Sequence, residues 1–122
     1  MGYHVVDPDE VEPLSGRPCD SRPLADALGL AKLGLRKYVV EPGEQMPLVY
    51  HYHDEQEEVF YVLDGTLQVE TPEEEYTVDA GSVFAAEPGS PHRAFTSADA
   101  DQPATVIAVG APAVDDVHEY EP

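Results

Sequence analysis

The sequence contains few basic residues and a large excess of acidic ones. Six Lys and Arg stand against 25 Asp and Glu, which gives a formal net charge of −19 at pH 7. Nucleic acids and anionic membranes are bound through clustered Lys and Arg that neutralise phosphate groups. We therefore expect no nucleic acid and no membrane among the partners of this chain.

The acidic residues are spread along the chain and do not form one block, which disfavours a disordered acidic tail as their explanation. An interaction surface for a basic partner is a second explanation. Adaptation to high salt is a third, because salt screens the repulsion between like charges on a small domain. Since only two residues are lysine, we favour the third explanation and a halophilic cytoplasm.

Cysteine, tryptophan and long apolar runs are also scarce or missing. Cys19 is the single cysteine, so a disulfide within the chain is excluded. No apolar run approaches the ~20 residues that span a bilayer, and the first residues lack the basic and then apolar pattern of a secretory signal. We find no glycine-rich phosphate loop, nucleophile motif or CxxC pair. These absences predict a cytoplasmic protein.

Short apolar stretches recur along the chain and are separated by turn signals. We predict strands at 47–53, 57–63, 66–71, 75–79, 82–86, 92–97 and 104–110. Many short strands at such spacing are typical of an all-β sandwich or barrel. Asp64-Gly65 lies between two apolar stretches and predicts a two-residue hairpin. A chain of 122 residues without an internal repeat should form one domain.

The two ends of the chain differ from its centre. Residues 1–27 are rich in proline, which cannot donate to a β-ladder and resists helix interiors, so we predict an irregular N-terminal arm with at most one edge strand. Residues 24–30 could form one or two helical turns. The β-barrel is predicted at 28–112, and an acidic C-terminal tail that frays or follows a sheet edge at 113–122.

His51 and His53 are separated by one residue in a strand-like stretch. Their side chains project from the same face because strand side chains alternate, while Leu48, Tyr50 and Tyr52 take the other, apolar face. Burying two unpaired imidazoles costs a few kcal/mol. A metal ion would satisfy both, and a pair of surface histidines is the alternative.

Glu58 begins an otherwise apolar strand face that continues with Phe60 and Val62. A carboxylate on such a face needs a cation or a hydrogen-bond donor. Glu57 is the alternative ligand, but it should face outward as a solvated acid. Imidazole and carboxylate together suit a divalent first-row transition metal.

His92 follows the rigid turn Pro88-Gly89-Ser90-Pro91, which would deliver one side chain at a fixed angle. A surface histidine just past a loop is the alternative. His4 lies in the N-terminal arm and His118 in the acidic tail, and both are predicted to be surface residues.

The spacing of these residues resembles the two sequence motifs of the cupin superfamily, over roughly residues 43–96. The first motif is matched by Gly43, His51-x-His53, four residues, Glu58, six residues and Gly65, and the second by Gly81 and Pro88-Gly89-Ser90-Pro91-His92. The resemblance implies a single-domain, cupin-like jelly-roll β-barrel. It also implies one divalent transition metal per chain, held by His51, His53, Glu58 and His92.

The chain departs from the motifs at three places. Glu87 stands where the second motif has its first proline, Thr96 stands where it usually has asparagine, and the loop at 44–48 is two residues longer. None of these changes affects a ligand position. They do affect residues that would contact the ligands and orient them.

The resemblance leaves the reaction open. The leading hypothesis is a metal-dependent oxygenase acting on a small molecule. The alternatives are a metal-dependent isomerase, epimerase or lyase acting on a sugar or small acid, and a small-ligand binding or sensing module without catalysis. Fe, Mn, Ni, Cu, Co and Zn all accept this ligand set, and availability would choose among them.

Three further hypotheses concern the walls of the barrel. Arg36 and Tyr38 could line its interior and meet an anionic or phenolic substrate, but we favour an outward salt bridge. Arg93 should bind an external carboxylate. The apolar strand face of Val59, Tyr61 and Leu63 predicts a homodimer, unless another sheet of the same subunit covers it.

Overall fold

Ten short strands supply most of the regular structure in the computed structural model, which describes residues 2–47 and 49–122. They are β1 (Asp20–Pro23), β2 (Gly34–Val40), β3 (His51–His53), β4 (Glu57–Asp64), β5 (Thr66–Glu70), β6 (Glu75–Asp79), β7 (Val83–Ala86), β8 (Arg93–Phe95), β9 (Ala104–Ala111) and β10 (Val117–Glu119). One α-helix, α1 (Leu24–Leu28), and a 3₁₀ turn at Pro8–Glu10 complete it. Met1 of the predicted arm and Leu48 of the predicted strand 47–53 lie outside the described residues. No helix in the described part of the chain has the length and apolar character to cross a membrane.

The strands form two facing sheets and a short ribbon, all antiparallel. The larger sheet has the order β1-β2-β9-β4-β7 and the smaller one β6-β5-β8, while β3 pairs with β10. Isolated bridges at Gln45–Phe95 and His51–His92 join the segment around β3 to the end of the smaller sheet. This arrangement confirms the predicted all-β jelly-roll barrel.

The core lies between the inward faces of the two sheets. Strand β5 shows the alternation most simply, since Leu67 and Val69 are fully buried while their neighbours are partly exposed. They pack in one cluster with Val40, Val62 and Val106 of the larger sheet. Burial of each such side chain contributes about 2 kcal/mol to the stability of the fold. The apolar residues that alternate along the strands therefore hold the two sheets together.

The predicted hairpin at Asp64-Gly65 is wrong. Strand β4 pairs with β7 and β9, whereas β5 pairs with β6 and β8, so the chain crosses from one sheet to the other at this turn. Gly65 has a φ of 75°, and a Cβ there would collide with the carbonyl of Pro103. A local turn signal marks the change of direction, but the core on each side decides which strands pair.

The chain ends contain the few regular elements that the sequence allowed: one edge strand, one short helix and a tail segment along a strand. The end of the predicted irregular arm is strand β1, an edge strand that tolerates Pro23 because one side of it needs no ladder partner. It is followed by α1, which buries Leu24 and Ala25 and ends at Gly29 with a φ of 73°. In the C-terminal segment, β10 pairs with β3. The domain limits at 27 and 112 stay a prediction.

Candidate metal centre

Three separate segments bring the predicted ligands together. In β3, His51 and His53 are buried and the intervening Tyr52 is not, as the alternation predicts. Glu58 is the second residue of β4. The turn before β8 delivers His92, whose backbone exchanges hydrogen bonds of 2.9 and 3.1 Å with the backbone of His51. This pairing places the imidazoles of His51 and His92 with ring centres 4.5 Å apart.

All three imidazoles face one carboxylate oxygen. The Nε2 atoms of His51, His53 and His92 lie 3.3, 3.0 and 2.8 Å from Oε1 of Glu58. The histidines are at most 5% exposed and the Glu58 side chain is 14% exposed. Glu57 is exposed, as predicted for a solvated acid.

The other ring nitrogen of each histidine donates to an oxygen that can only accept. Nδ1 of His51 contacts the carbonyl of Val49 at 2.6 Å, and Nδ1 of His92 contacts the carbonyl of Ser90 at 2.9 Å. For His53 the acceptor is the carboxylate of Asp116 at 2.9 Å. Since these oxygens bring no proton, each Nδ1 carries the hydrogen, and Nε2 is the nitrogen that each ring turns toward Glu58.

Each Nε2 atom needs either a proton or a metal ion between itself and the carboxylate of Glu58. Three bare lone pairs repel a carboxylate oxygen, and protonating all three rings would place like charges about 5 Å apart, at a cost on the order of 3 kcal/mol per pair. Nε2 of His53 is buried and has no hydrogen-bond partner, because its contact with Glu58 lacks hydrogen-bond geometry. A cation among these atoms would satisfy every group.

Donor spacing agrees with a site for one ion. One ligand atom from each of His51, Glu58 and His92 lies within 4.8 Å of the others, so the three side chains are arranged to hold a metal. His53 falls outside that group of three, although its Nε2 is 3.0 Å from Glu58. A small cavity of about 30 Å³ borders the three grouped side chains, together with Tyr38 and Phe60.

The electrostatics of the metal-free cluster follow from this geometry. Burial by itself would raise the pKa of Glu58, but hydrogen bonds donated by protonated Nε2 atoms of the three imidazoles outweigh it and bring that pKa far below its usual range. The carboxylate of Glu58 raises the pKa of His53, against burial, and Asp116 adds to the increase. Glu58 is thus an ionised carboxylate, as a metal ligand must be.

Asp116 is the residue of the site that sequence reasoning missed. Besides accepting from His53, it accepts from the backbone N–H groups of Glu55 at 2.6 Å and Gln56 at 3.0 Å. Desolvation by itself would raise the pKa of Asp116, but these two backbone donors and His53 outweigh it and lower that pKa to about 2. Nothing in the local sequence separates Asp116 from Asp115, because its role depends on the pairing of β10 with β3.

The site borders a larger cavity of about 690 Å³. His53 and Glu58 form part of its wall, and Arg36 and Tyr38 form another part. The favoured prediction of an outward salt bridge is therefore wrong for the described residues, and the alternative, that these two residues line the interior, is confirmed. Arg93 lies 3.5 Å from the external carboxylate of Glu70, also as predicted.

The remaining histidines lie away from the site. His4 is exposed. His118 stacks on Tyr52, with ring centres 5.2 Å apart, and pairs with Asp54 at 2.6 Å on the surface. Both were predicted to be surface residues.

Comparison with known proteins agrees with the family that the sequence motifs resemble. A family model for the cupin domain matches residues 36–110, a stretch that is more than half of the chain and contains all four predicted ligands. A search of curated proteins gave no match.

Several solved structures share the fold. A sugar phosphate isomerase from a cupin superfamily, from Silicibacter pomeroyi DSS-3, is 28% identical with a TM-score of 0.75, over 88% of this chain and 75% of that one. The polyketide cyclase RemF from Streptomyces resistomycificus has a TM-score of 0.80 at 20% identity, over 98% of this chain and 87% of that one.

A third structure, from Acidithiobacillus ferrooxidans ATCC 23270, belongs to a protein whose description as a sugar phosphate isomerase is provisional. It is 24% identical with a TM-score of 0.71, over 81% of this chain. The present chain spans 62% of that protein's length, which is less than two thirds. At such identities the last two structures demonstrate the fold alone. The matched residues 36–110, together with the jelly-roll topology, show that this chain belongs to the cupin domain family.

Proposed function

We propose that this chain is a metal-dependent enzyme that acts on a small molecule in the cavity beside His53 and Glu58. In this proposal one divalent transition metal is bound by His51, His53, Glu58 and His92. The observation that carries the proposal is the convergence of three Nε2 atoms on one carboxylate oxygen while every Nδ1 is engaged by an acceptor. Neutral imidazole nitrogens and a carboxylate are the donor set that Fe, Mn, Ni, Cu, Co and Zn accept.

The metal would supply either redox chemistry with dioxygen or Lewis-acid polarisation of a substrate oxygen. The chain itself orients the ligands, through Val49, Ser90 and Asp116, and it provides the cavity in which a substrate can approach. Loss of an acceptor that orients a ligand in this way typically lowers metal affinity or activity by about 10- to 100-fold.

Within this class we place an oxygenase first. Four protein ligands leave one or two positions of a five- or six-coordinate metal free, and the cavity of about 690 Å³ has room for a chelating substrate in addition to dioxygen. Tyr38 lines both this cavity and the small one beside the ligands. Its pKa is raised by burial, so the phenol keeps its proton at neutral pH and can donate a hydrogen bond to a substrate.

An isomerase, epimerase or lyase is the second candidate. It is supported by the 28% identity to a sugar phosphate isomerase from a cupin superfamily, which extends over 88% of this chain. A binding or sensing module without catalysis is the third candidate and would use the same centre.

Elemental analysis tests the metal centre. Protein prepared without metal-chelating resins should contain close to one divalent transition metal per chain. A variant with both His51→Ala and His53→Ala should contain almost none, and equal metal content in variant and parent would contradict the proposal. A His118→Ala variant, altered at a surface histidine of the neighbouring strand, is the matched control.

Oxygen uptake and the identity of the metal then separate the reaction classes. Iron, copper or manganese together with substrate-dependent oxygen consumption supports the oxygenase. Zinc or nickel with turnover that is the same in air and under nitrogen supports the isomerase class. Tight binding of a ligand without turnover supports the binding module.

A further inference from the structure

Three of the six basic residues are held by nearby carboxylates. These ion pairs are Arg22–Asp20, Lys37–Asp9 and Arg93–Glu70, at 3.0, 3.7 and 3.5 Å. Arg36 differs from them. Within residues 2–47 and 49–122 its guanidinium makes no ion pair, although the chain carries 25 acidic side chains. A half-buried cation without an anion in so acidic a protein calls for a physical explanation.

Arg36 projects from the inward face of β2. It is two residues before Tyr38 and four before Val40, both of which are buried, so all three side chains share a face. Across the larger sheet Arg36 is paired with Ala108 of β9, and Ala108 with Phe60 of β4. The guanidinium is thus directed into the barrel and toward the cavity that it lines.

The neighbouring row of the same sheet leads directly to the metal centre. Gly34 of β2 is paired with Gly110 of β9, and Gly110 with Glu58 of β4. Two of these three residues have no side chain, and the amide of Gln56 lies over Gly110, where a Cβ would collide with it. Arg36 and Glu58 have Cα atoms separated by two strand spacings and two residues, about 12 Å in a flat sheet. Both line the cavity of about 690 Å³, together with Gln56, and this cavity has room for a small molecule.

Tyr38 completes the wall between the guanidinium and the ligands. Burial raises the pKa of its phenol, and the nearby Arg36 opposes that increase less strongly. The proton therefore stays on the phenol, which adds a second donor beside the guanidinium. The phenol oxygen accepts from Arg36, and two such neighbouring donors in the wall of a cavity are suited to an anionic group.

The charges around the cavity also favour an anion. The charged residues of its wall are Arg17, Arg36, Glu58 and Asp115, and His53 is its titratable imidazole. With a divalent ion bound, two guanidinium groups and the metal outweigh two carboxylates by two charges. The cavity is then a positive region in a protein whose net charge is −19.

We propose that this cavity binds a small organic anion, whose carboxylate or phosphate group is held by Arg36 while a second oxygen of the molecule faces the metal centre. Guanidinium matches both head groups through paired N–H donors. The inference deepens the proposed function and rests on it, because the centre supplies the second point of attachment. It also restricts the substrates to anions that carry another oxygen a few atoms from the head group.

Calorimetric titration of the metal-loaded protein with two matched pairs of probes tests the inference. Glycolate is compared with glycolamide, and glucose 6-phosphate with glucose, at constant ionic strength because salt screens the interaction. The anion of at least one pair should bind at least about tenfold more tightly than its neutral partner. The pair that shows the difference identifies the head group as carboxylate or phosphate. Equal binding, or no binding, within both pairs would overturn the inference.

Variants of Arg36 test its role directly. Arg36→Gln should abolish the preference for the anion, and Arg36→Lys should weaken it severalfold, because lysine keeps the charge but loses the planar pair of donors. Lys32→Gln removes the same charge from an exposed residue outside the cavity and should leave the preference unchanged. A preference retained in Arg36→Gln would overturn the inference. If Arg36→Gln fails to fold, Arg36→Lys provides the test, and an unchanged preference for the anion in that variant would overturn the inference.

Metal content separates this inference from the function on which it rests. If the parent protein contains no metal but still binds the anion through Arg36, the result contradicts the proposed enzyme and supports the anion site. If it contains one metal per chain but prefers neither anion, the result supports the metal centre and contradicts the anion site. Both Arg36 variants should contain as much metal as the parent, since Arg36 contacts none of the proposed ligands.

Discussion

The Nδ1–H group of His53 donates a hydrogen bond of 2.9 Å to the carboxylate of Asp116, 63 residues farther along the chain. The same carboxylate accepts from the backbone of the bend that joins β3 to β4. Asp116 therefore fixes the ring orientation of one proposed ligand and the turn that leads to another. The acidic C-terminal segment is a structural part of the candidate metal centre.

We predict that Asp116→Ala lowers metal affinity by roughly 10- to 100-fold, as expected when the acceptor that orients a ligating imidazole is removed. Asp116→Asn keeps an acceptor oxygen for His53 and should recover part of the loss. Competition with a fluorescent chelator measures the affinity. Asp115→Ala is the control, because the neighbouring carboxylate is exposed, and an equal effect in that variant would contradict the prediction.

Glu58 and Glu57 form a second matched pair. Glu58→Gln should lower metal affinity by about one order of magnitude or more, since an anionic ligand becomes neutral, and Glu57→Gln should change it little because its side chain is exposed. The same chelator competition compares the two variants. The reverse ranking would mean that β4 is shifted by one residue, which turns every side chain to the opposite face.

The stability of the protein should depend on pH in opposite directions with and without metal. In the metal-free protein the pKa of His53 is raised above its unfolded value of about 6.5. The stabilisation from protonated His53 is therefore complete below that value, and it is lost as pH rises through the folded pKa. In the metal-loaded protein stability should instead increase over the same range, because Nε2 must be deprotonated to bind the ion.

Thermal melts from about pH 5.5 to about pH 8.5, with chelator or with saturating metal, measure both slopes. A His53→Asn variant should show a smaller slope under both conditions. Slopes of the same sign in the two parent samples would contradict the assignment of His53 to the site.

Stability should also rise with salt. The net charge of −19 on 122 residues opposes the compact state, and screening relieves that repulsion. Halophilic adaptation predicts a continued gain above roughly 1 M KCl, where the Debye length is already only about 3 Å. Circular dichroism melts from low to multimolar KCl, with metal held saturating, follow the midpoint. A midpoint that stays flat over the whole range would favour the alternative of a surface for a basic partner.

A homodimer remains our prediction for the assembly, and the outer face of the larger sheet is its proposed interface. Tyr61 and Leu63 are 42% and 46% exposed, and Val83, which is paired with Tyr61 across β4 and β7, is 58% exposed. Tyr61→Glu should shift the dimer toward monomer by at least tenfold in dissociation constant, as measured by light scattering over a dilution series. Tyr76→Glu on the smaller sheet, where the tyrosine is 41% exposed, is the matched control. A parent protein that is monomeric at all concentrations would contradict the prediction.

The sequence by itself determined most of the strand pattern, and its resemblance to the cupin motifs predicted which four side chains converge. Period-two alternation is a local property of extended backbone, so it was sufficient to place His51 and His53 on one face and Glu58 opposite in direction to Glu57. The rigid turn before His92 is local as well. The all-β architecture follows from the same alternation, because strands with one apolar face must pack against another layer.

Tertiary structure alone decided which distant segments meet. The turn at Asp64-Gly65 leads to a different sheet instead of a hairpin, because β4 pairs with β7 and β9 while β5 pairs with β6 and β8. The contact of Asp116 with His53 depends on β10 lying beside β3. Likewise, Arg36 and Glu58 line one cavity only because three strands from separate parts of the chain are in register. Such contacts carry no local signal, since they arise from long-range pairing that the core selects as a whole.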